Sequence, residues 1–228
     1  MSYPNEEDFN LLVDMLPEKM LEQIVFVGGA IVGLFLDEVG QSKMRPTLDT
    51  DFLVNVRSLS DYYKFADKIK ELGFKPSQEA GDPPYRYRKD VGGRELLIDV
   101  MVPEEKILGF TNAWYKPGMR AAIEYRLSSG KTIKVFDPVF LLATKIEAFK
   151  GRGIGSPIDS DDLEDIVAII ESGEGIVEKI KSSEAGLKKY VVGELKAMVE
   201  NTEIAQAMEG QAMNSEKAFE NMRIILQK

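Results

Sequence analysis

Asp49-Thr50-Asp51 sets two carboxylates two residues apart. On an extended strand, residues at that spacing point to the same side, so the pair aims its charge at one spot. Upstream, Gly28-Gly29 follows the apolar run Val25-Phe26-Val27 and precedes residues 30–36, which read as a helix. A glycine turn feeding a helix N-terminus offers free backbone N–H groups and the positive end of a helix dipole, a place for phosphate. Paired carboxylates beside such a cradle suit a divalent cation and chemistry on a nucleotide. A third carboxylate, Asp99, lies within the apolar run Leu97-Ile98-Asp99-Val100-Met101. A carboxylate buried there has to be paired or hold a metal. Each motif has a plainer alternative: an ordinary turn, a solvated or capping Asp pair, an outward-facing carboxylate. Their order favours the functional reading: strand, glycine pair, helix, carboxylate pair, second strand.

These residues need elements to position them. Residues 6–15 read as an amphipathic helix with Phe9, Leu12, Val13 and Leu16 on one side, and Pro17 fits the first turn of a second helix reaching Gln23. Residues 37–44 read as a loop leading into the Asp49-Thr50-Asp51 strand. Ser60 is the expected cap of a helix carrying Tyr62, Phe65, Ala66, Ile69 and Leu72, stopped by Gly73. Tyr85-Arg86-Tyr87-Arg88 and residues 95–102 read as a hairpin around Gly92-Gly93, which sets Asp99 in a strand able to lie beside Asp51. Residues 107–117 read as irregular. Trp114 and Tyr115 there either stack on a base or anchor the loop. Residues 120–127 and 131–136 form a further hairpin around Ser128-Ser129-Gly130.

From Asp137 onward the pattern is helical. Asp137-Pro138 is a cap followed by a first-turn proline, and Leu141, Leu142, Ile146 and Phe149 make the buried stripe. Gly151 is the expected stop, with a glycine-rich loop to Pro157. Asp159 or Ser160 caps the next helix, with Leu163, Ile166, Val167 and Ile170 inward. Three or four more helices follow, around 176–182, 184–200, 203–208 and 214–227. Lys145 borders its apolar stripe, which by itself predicts a stem along the stripe and an ammonium in water. Asp162 and Asp165 stand one turn apart near a helix N-terminus, where carboxylates interact well with the dipole.

Composition limits the chemistry. The chain has neither cysteine nor histidine. That excludes disulfides, thiol nucleophiles, histidine triads and soft-metal sites, and leaves hard, oxygen-bound cations. The net charge of −9 argues against strong non-specific binding to a nucleic-acid backbone. A local basic patch for one acceptor could draw on Arg86, Arg88, Lys89, Arg94 and residues 145–152. No apolar run approaches the ~20 residues of a membrane span, so no membrane partner is expected. The acidic start, residues 1–8, lacks a leader's basic region, and a cytoplasmic location is expected.

Gly28-Gly29, Asp49-x-Asp51 and Asp99 together resemble the polymerase-β-type nucleotidyltransferase superfamily. The run Arg45-Pro46-Thr47-Leu48-Asp49-Thr50-Asp51, with residues 143–149 (Ala-Thr-Lys-Ile-Glu-Ala-Phe) and 161–166 (Asp-Asp-Leu-Glu-Asp-Ile), is similar to bacterial nucleotidyltransferases related to the abortive-infection AbiEii toxins. The likeness covers Val25 to about Ile170. Two departures are the glycine pair, where many members have Gly-Ser, and the long interval of residues 30–48.

The resemblance implies an α/β (α+β) architecture: a nucleotidyltransferase core with a small mixed β-sheet flanked by helices over residues 1–137, and a C-terminal helical domain over 138–228 that closes the cleft. It implies Asp49, Asp51 and Asp99 as ligands of Mg2+ or Mn2+, with Asp99 in the general-base position. It implies Gly28, Gly29, Thr47, Lys145, Asp162 and Asp165 at an NTP such as ATP, with Asp162 and Asp165 orienting Lys145 or binding the acceptor. The expected reaction moves a nucleoside monophosphate to a hydroxyl of an unidentified acceptor (small molecule, RNA or protein). The alternative is a non-catalytic nucleotide-binding module, regulatory or antitoxin-like.

Overall fold

The computed structural model describes residues 6–227. Residues 1–5 of the acidic start lie outside the described residues. In chain order the helices are α1 (Glu6–Met15), α2 (Glu18–Leu21), α3 (Glu38–Lys43), α4 (Leu59–Glu71), α5 (Glu105–Leu108), α6 (Tyr115–Arg120), α7 (Pro138–Ala148), α8 (Asp161–Ser172), α9 (Ile176–Ser182), α10 (Ala185–Glu200), α11 (Thr202–Gln211) and α12 (Ser215–Leu226). The strands are β1 (Ile24–Val27), β2 (Asp49–Val54), β3 (Lys75–Pro76), β4 (Arg86–Val91), β5 (Arg94–Met101), β6 (Ile123–Arg126) and β7 (Thr132–Val135). Two compact units result. One contains residues 6–31 and Arg45–Phe136, the other Val32–Met44 and residues 137–227. Among the described residues no helix is long and apolar enough to cross a membrane.

The first unit is a mixed sheet with helices against it. Its seven strands run in the order β3-β4-β5-β2-β1-β7-β6. β2 lies parallel to β5 and β1 parallel to β7, and the other neighbours are antiparallel. Alternation divides the side chains of β2 between the two faces of the sheet. Phe52 faces one way with its partner Phe26, and Phe9 of α1 and Phe65 of α4 pack onto them. The rings meet edge-on at 5.1, 5.8 and 6.3 Å along Phe9–Phe26–Phe52–Phe65, and all four are buried. Edge-on contact adds to the stabilisation from burial alone. Asp49 and Asp51 point to the opposite face.

The helical unit is built on α7 and α8. Asp137 caps α7 by accepting the Val139 amide at 2.8 Å, and Ser160 caps α8 by accepting that of Leu163 at 3.3 Å. Residues 32–44 are tied to the end of α8. The Asp37 amide donates to the Ser172 carbonyl, Glu174 donates to Phe35, and Leu36 bridges Gly173.

Local chemistry overrides the sequence pattern at several places. Residues 37–44, expected as a loop, contain α3. The Asp37 carboxylate accepts the Gly40 amide, and Gly40 lets the helix approach Ser172, where a Cβ would collide. The segment after the glycine pair is a 3₁₀ helix, Gly29–Phe35. Ser58 caps α4, two residues before the expected Ser60. Residues 107–117 include parts of α5 and α6. The helix expected to stop at Gly151 continues as a π-helical turn, Phe149–Gly153.

Candidate active site

Strand register brings the carboxylates together. Asp51 and Asp99 are direct partners on the parallel strands β2 and β5, and Asp49 lies two residues upstream on the same face. The hairpin partner of Asp99 is Arg86 on β4, so the guanidinium shares that face. Its Nε donates to Asp99 Oδ1 at 2.8 Å and its Nη2 to Oδ2 at 2.9 Å, a fork-on-carboxylate geometry. The same Nη2 also donates to Asp49. Asp82 adds a further carboxylate 3.4 Å from Nη1.

Burial pushes the Asp99 carboxyl above the usual carboxylate range. Arg86 pulls it down, and Asp49 and Asp82 push it further up, for a net rise. The hydrogen bond to Asp99 holds the Arg86 guanidinium even more firmly in its charged form. Among the described residues, no group of three or more acidic side chains is placed to hold a metal ion. Arg86 is the cation that Asp49 and Asp99 share.

The glycine pair serves this face through Gly28. It adopts φ +84°, and a Cβ there would fall on the Asp51 carboxylate. Gly28 is therefore fixed twice, by its left-handed backbone and by the carboxylate against it. Gly29 has a different constraint: a Cβ would stand 3.1 and 3.2 Å from Cγ2 and Oγ1 of Thr47. The Thr47 hydroxyl is buried and makes no hydrogen bond among the described residues. Trp114 is the residue immediately before α6, its amide donating to Asn112 Oδ1 at 3.0 Å.

Lys145, Asp162 and Asp165 belong to the helical unit and form a buried cluster of their own. Lys145 Nζ lies 2.6 Å from Asp165 Oδ2 and 3.3 Å from Asp162 Oδ1, and its side chain is only 9% exposed. This corrects the expectation of an ammonium in water. With two buried carboxylates in reach, the charge is balanced inside. Arg152 grips Asp162 with Nε at 2.7 Å and Nη2 at 3.0 Å. The π-helical turn brings it there. Gly153 makes this possible, because a Cβ would strike the Phe149 ring and Ser160 Oγ. Burial raises the Asp162 carboxyl, but Arg152 and Lys145 outweigh it and hold it below the usual value.

Arg86 and Arg152 were expected only as parts of a basic patch. Both are ion-pair partners of predicted site residues. No protein-family model and no curated protein sequence matches the chain.

Proposed function

We propose that the chain is a nucleotidyltransferase. It would transfer a nucleoside monophosphate from an NTP to an acceptor hydroxyl and release pyrophosphate, with magnesium or manganese as cofactor. The observation that carries this reading is the placement of Asp49, Asp51 and Asp99 on one sheet face, Asp51 and Asp99 side by side. Their donor atoms are the hard oxygens a magnesium ion takes. Arg86 Nη2 donates to both Asp49 and Asp99, and the convergence of this pair on one positive group supports the reading. When bound, the metal neutralises phosphate charge and lowers the pKa of the attacking hydroxyl. The chain's own residues do the rest. Gly28 leaves room for Asp51 at the strand end. The Thr47 hydroxyl beside Gly29 is a group for a phosphate oxygen. Asp99, already raised by burial, is suited to accept a proton. Of the two roles open to Asp162 and Asp165, the ion pairs favour orienting Lys145.

The Arg86 clamp also favours a second reading. Asp49 and Asp99 can be a structural ion-pair network in a non-catalytic nucleotide-binding module, regulatory or antitoxin-like. Two measurements separate the readings. Calorimetric titration with a non-hydrolysable NTP should show binding with Mg2+ and loss of binding on chelation. Pyrophosphate release should vanish in Asp51→Asn while the melting temperature stays near the parent's. NTP binding insensitive to chelation, without pyrophosphate release, would leave the second reading standing.

A further inference from the structure

The sheet face that carries the carboxylates has a second polar feature further along the strands. A cavity of about 350 Å³ opens where β2 and β5 end, a volume in the range of small-molecule sites. From Asp51 to Asn55 at its edge is about 13 Å of extended chain. Its apolar lining is Val25 of β1, Pro103 just past β5, and Met119 of α6. The walls are fixed. The Asn55 amide donates to the Gln23 carbonyl, continuing the β1–β2 register, and Tyr115 of α6 donates to Met101 Sδ at 3.6 Å. Ligands of open α/β sheets gather at the carboxyl ends of parallel strands, and β2 and β5 are parallel here.

The rim is cationic in a chain whose net charge is −9. Lys116, Arg120 and Lys134 line it against Glu22 and Glu104. Lys116 is paired with Glu104 at 3.0 Å, and Lys134 donates to the Glu22 carbonyl at 3.5 Å. Arg120 is exposed and makes no ion pair among the described residues. A guanidinium fork suits the oxygens of a phosphate or carboxylate, and the apolar side chains of Val25, Pro103 and Met119 suit a ring.

We infer that this cavity is a binding site for a small organic anion, a phosphate or carboxylate on an apolar body, held at its charged end by Arg120 and Lys134. The site does not depend on nucleotidyl transfer. The probe is phenyl phosphate, titrated into the full chain by calorimetry, with phenol and benzoate alongside. Saturable one-to-one binding is expected for phenyl phosphate and for benzoate, but not for neutral phenol. Arg120→Gln should weaken it about tenfold or more, the usual loss of a charge-assisted hydrogen bond. Lys134→Gln should weaken it less. Asp51→Asn, in the proposed nucleotide site, should leave it as in the parent. No saturation into the millimolar range would overturn the inference. Equal affinity in parent and Arg120→Gln, equal binding of phenol, or loss of binding in Asp51→Asn would each overturn it too. Because Arg120 is exposed, its replacement does not endanger the fold.

Discussion

Two cationic side chains, Arg86 and Lys145, decide how the conspicuous aspartates behave. Arg86 is shared by Asp49 and Asp99, so a divalent cation binding at this face would have to compete with a resident guanidinium. Arg86→Gln removes that competitor and leaves Asp99, with a side chain 7% exposed, without its counter-ion. The variant should melt lower than the parent in chelator, and Mg2+ should raise its melting temperature by more than it raises the parent's. An identical response to Mg2+ in both proteins would mean that the carboxylates hold no metal. Lys145 is the second case. Lys145→Met keeps the stem but takes the ammonium away from two buried carboxylates, leaving Arg152 on Asp162, and breaking a buried pair costs about 3–5 kcal/mol. The pH dependence has a definite sign. The folded-state value of Asp162 is depressed, so its contribution is present above the ordinary 3.8 and lost as pH falls through the lower folded value. Urea unfolding should show a large gap between parent and variant at neutral pH and a smaller one in acid. A near-zero gap at neutral pH would restore the solvent-facing lysine.

At the scale of elements, helices are joined by side chains that satisfy backbone groups at their ends. Glu171, buried near the end of α8, accepts the amides of Met213 and Asn214 at 2.9 Å each, just before α12. Asn221 of α12 donates back to the Ile170 carbonyl at 2.9 Å. Glu171→Ala leaves two amides without their acceptor and should cost about 1–3 kcal/mol for each that stays dry. Denaturant midpoints check this, and hydrogen exchange should accelerate first in α12. Unchanged protection there would show that packing alone seats the helix.

At the scale of the whole molecule, the compact units do not follow the chain. The helical unit takes Val32–Met44 from a point far upstream of its remaining residues. A cut at the apparent boundary, giving residues 1–136, removes the α8 end to which Leu36 and Asp37 are bonded. The buried side chains of Val32, Leu34, Phe35 and Leu36 should then face water. Such a fragment should bind an apolar dye and lack cooperative melting, whereas the full chain should do neither. A fragment that melts cooperatively without binding dye would show that residues 32–44 need no helical partner.

Much of the site face was fixed by local rules. The two-residue turn Gly92-Gly93 pairs Val91 with Arg94, and counting outward pairs Arg86 with Asp99. Strand periodicity put Asp49 and Asp51 on one side. Asp137-Pro138 marked one helix start and Asp159 or Ser160 the next, because a cap is a short-range hydrogen bond, and Ser160 is the one that makes it. Other features were set only in three dimensions. That β5 lies parallel to β2, with Asp99 beside Asp51, depends on sheet order, which no local pattern encodes. Residues 37–44 are polar and glycine-containing, and they form a helix because Asp37 caps it locally and the Ser172 carbonyl, from another helix, accepts the Asp37 amide. Lys145 was legible as a stripe-bordering lysine, yet its burial depends on where Asp162 and Asp165 of another helix stand. Sequence spacing specifies which way a side chain points within its own element, whereas the charge that meets it belongs to a different element, and only packing chooses that one.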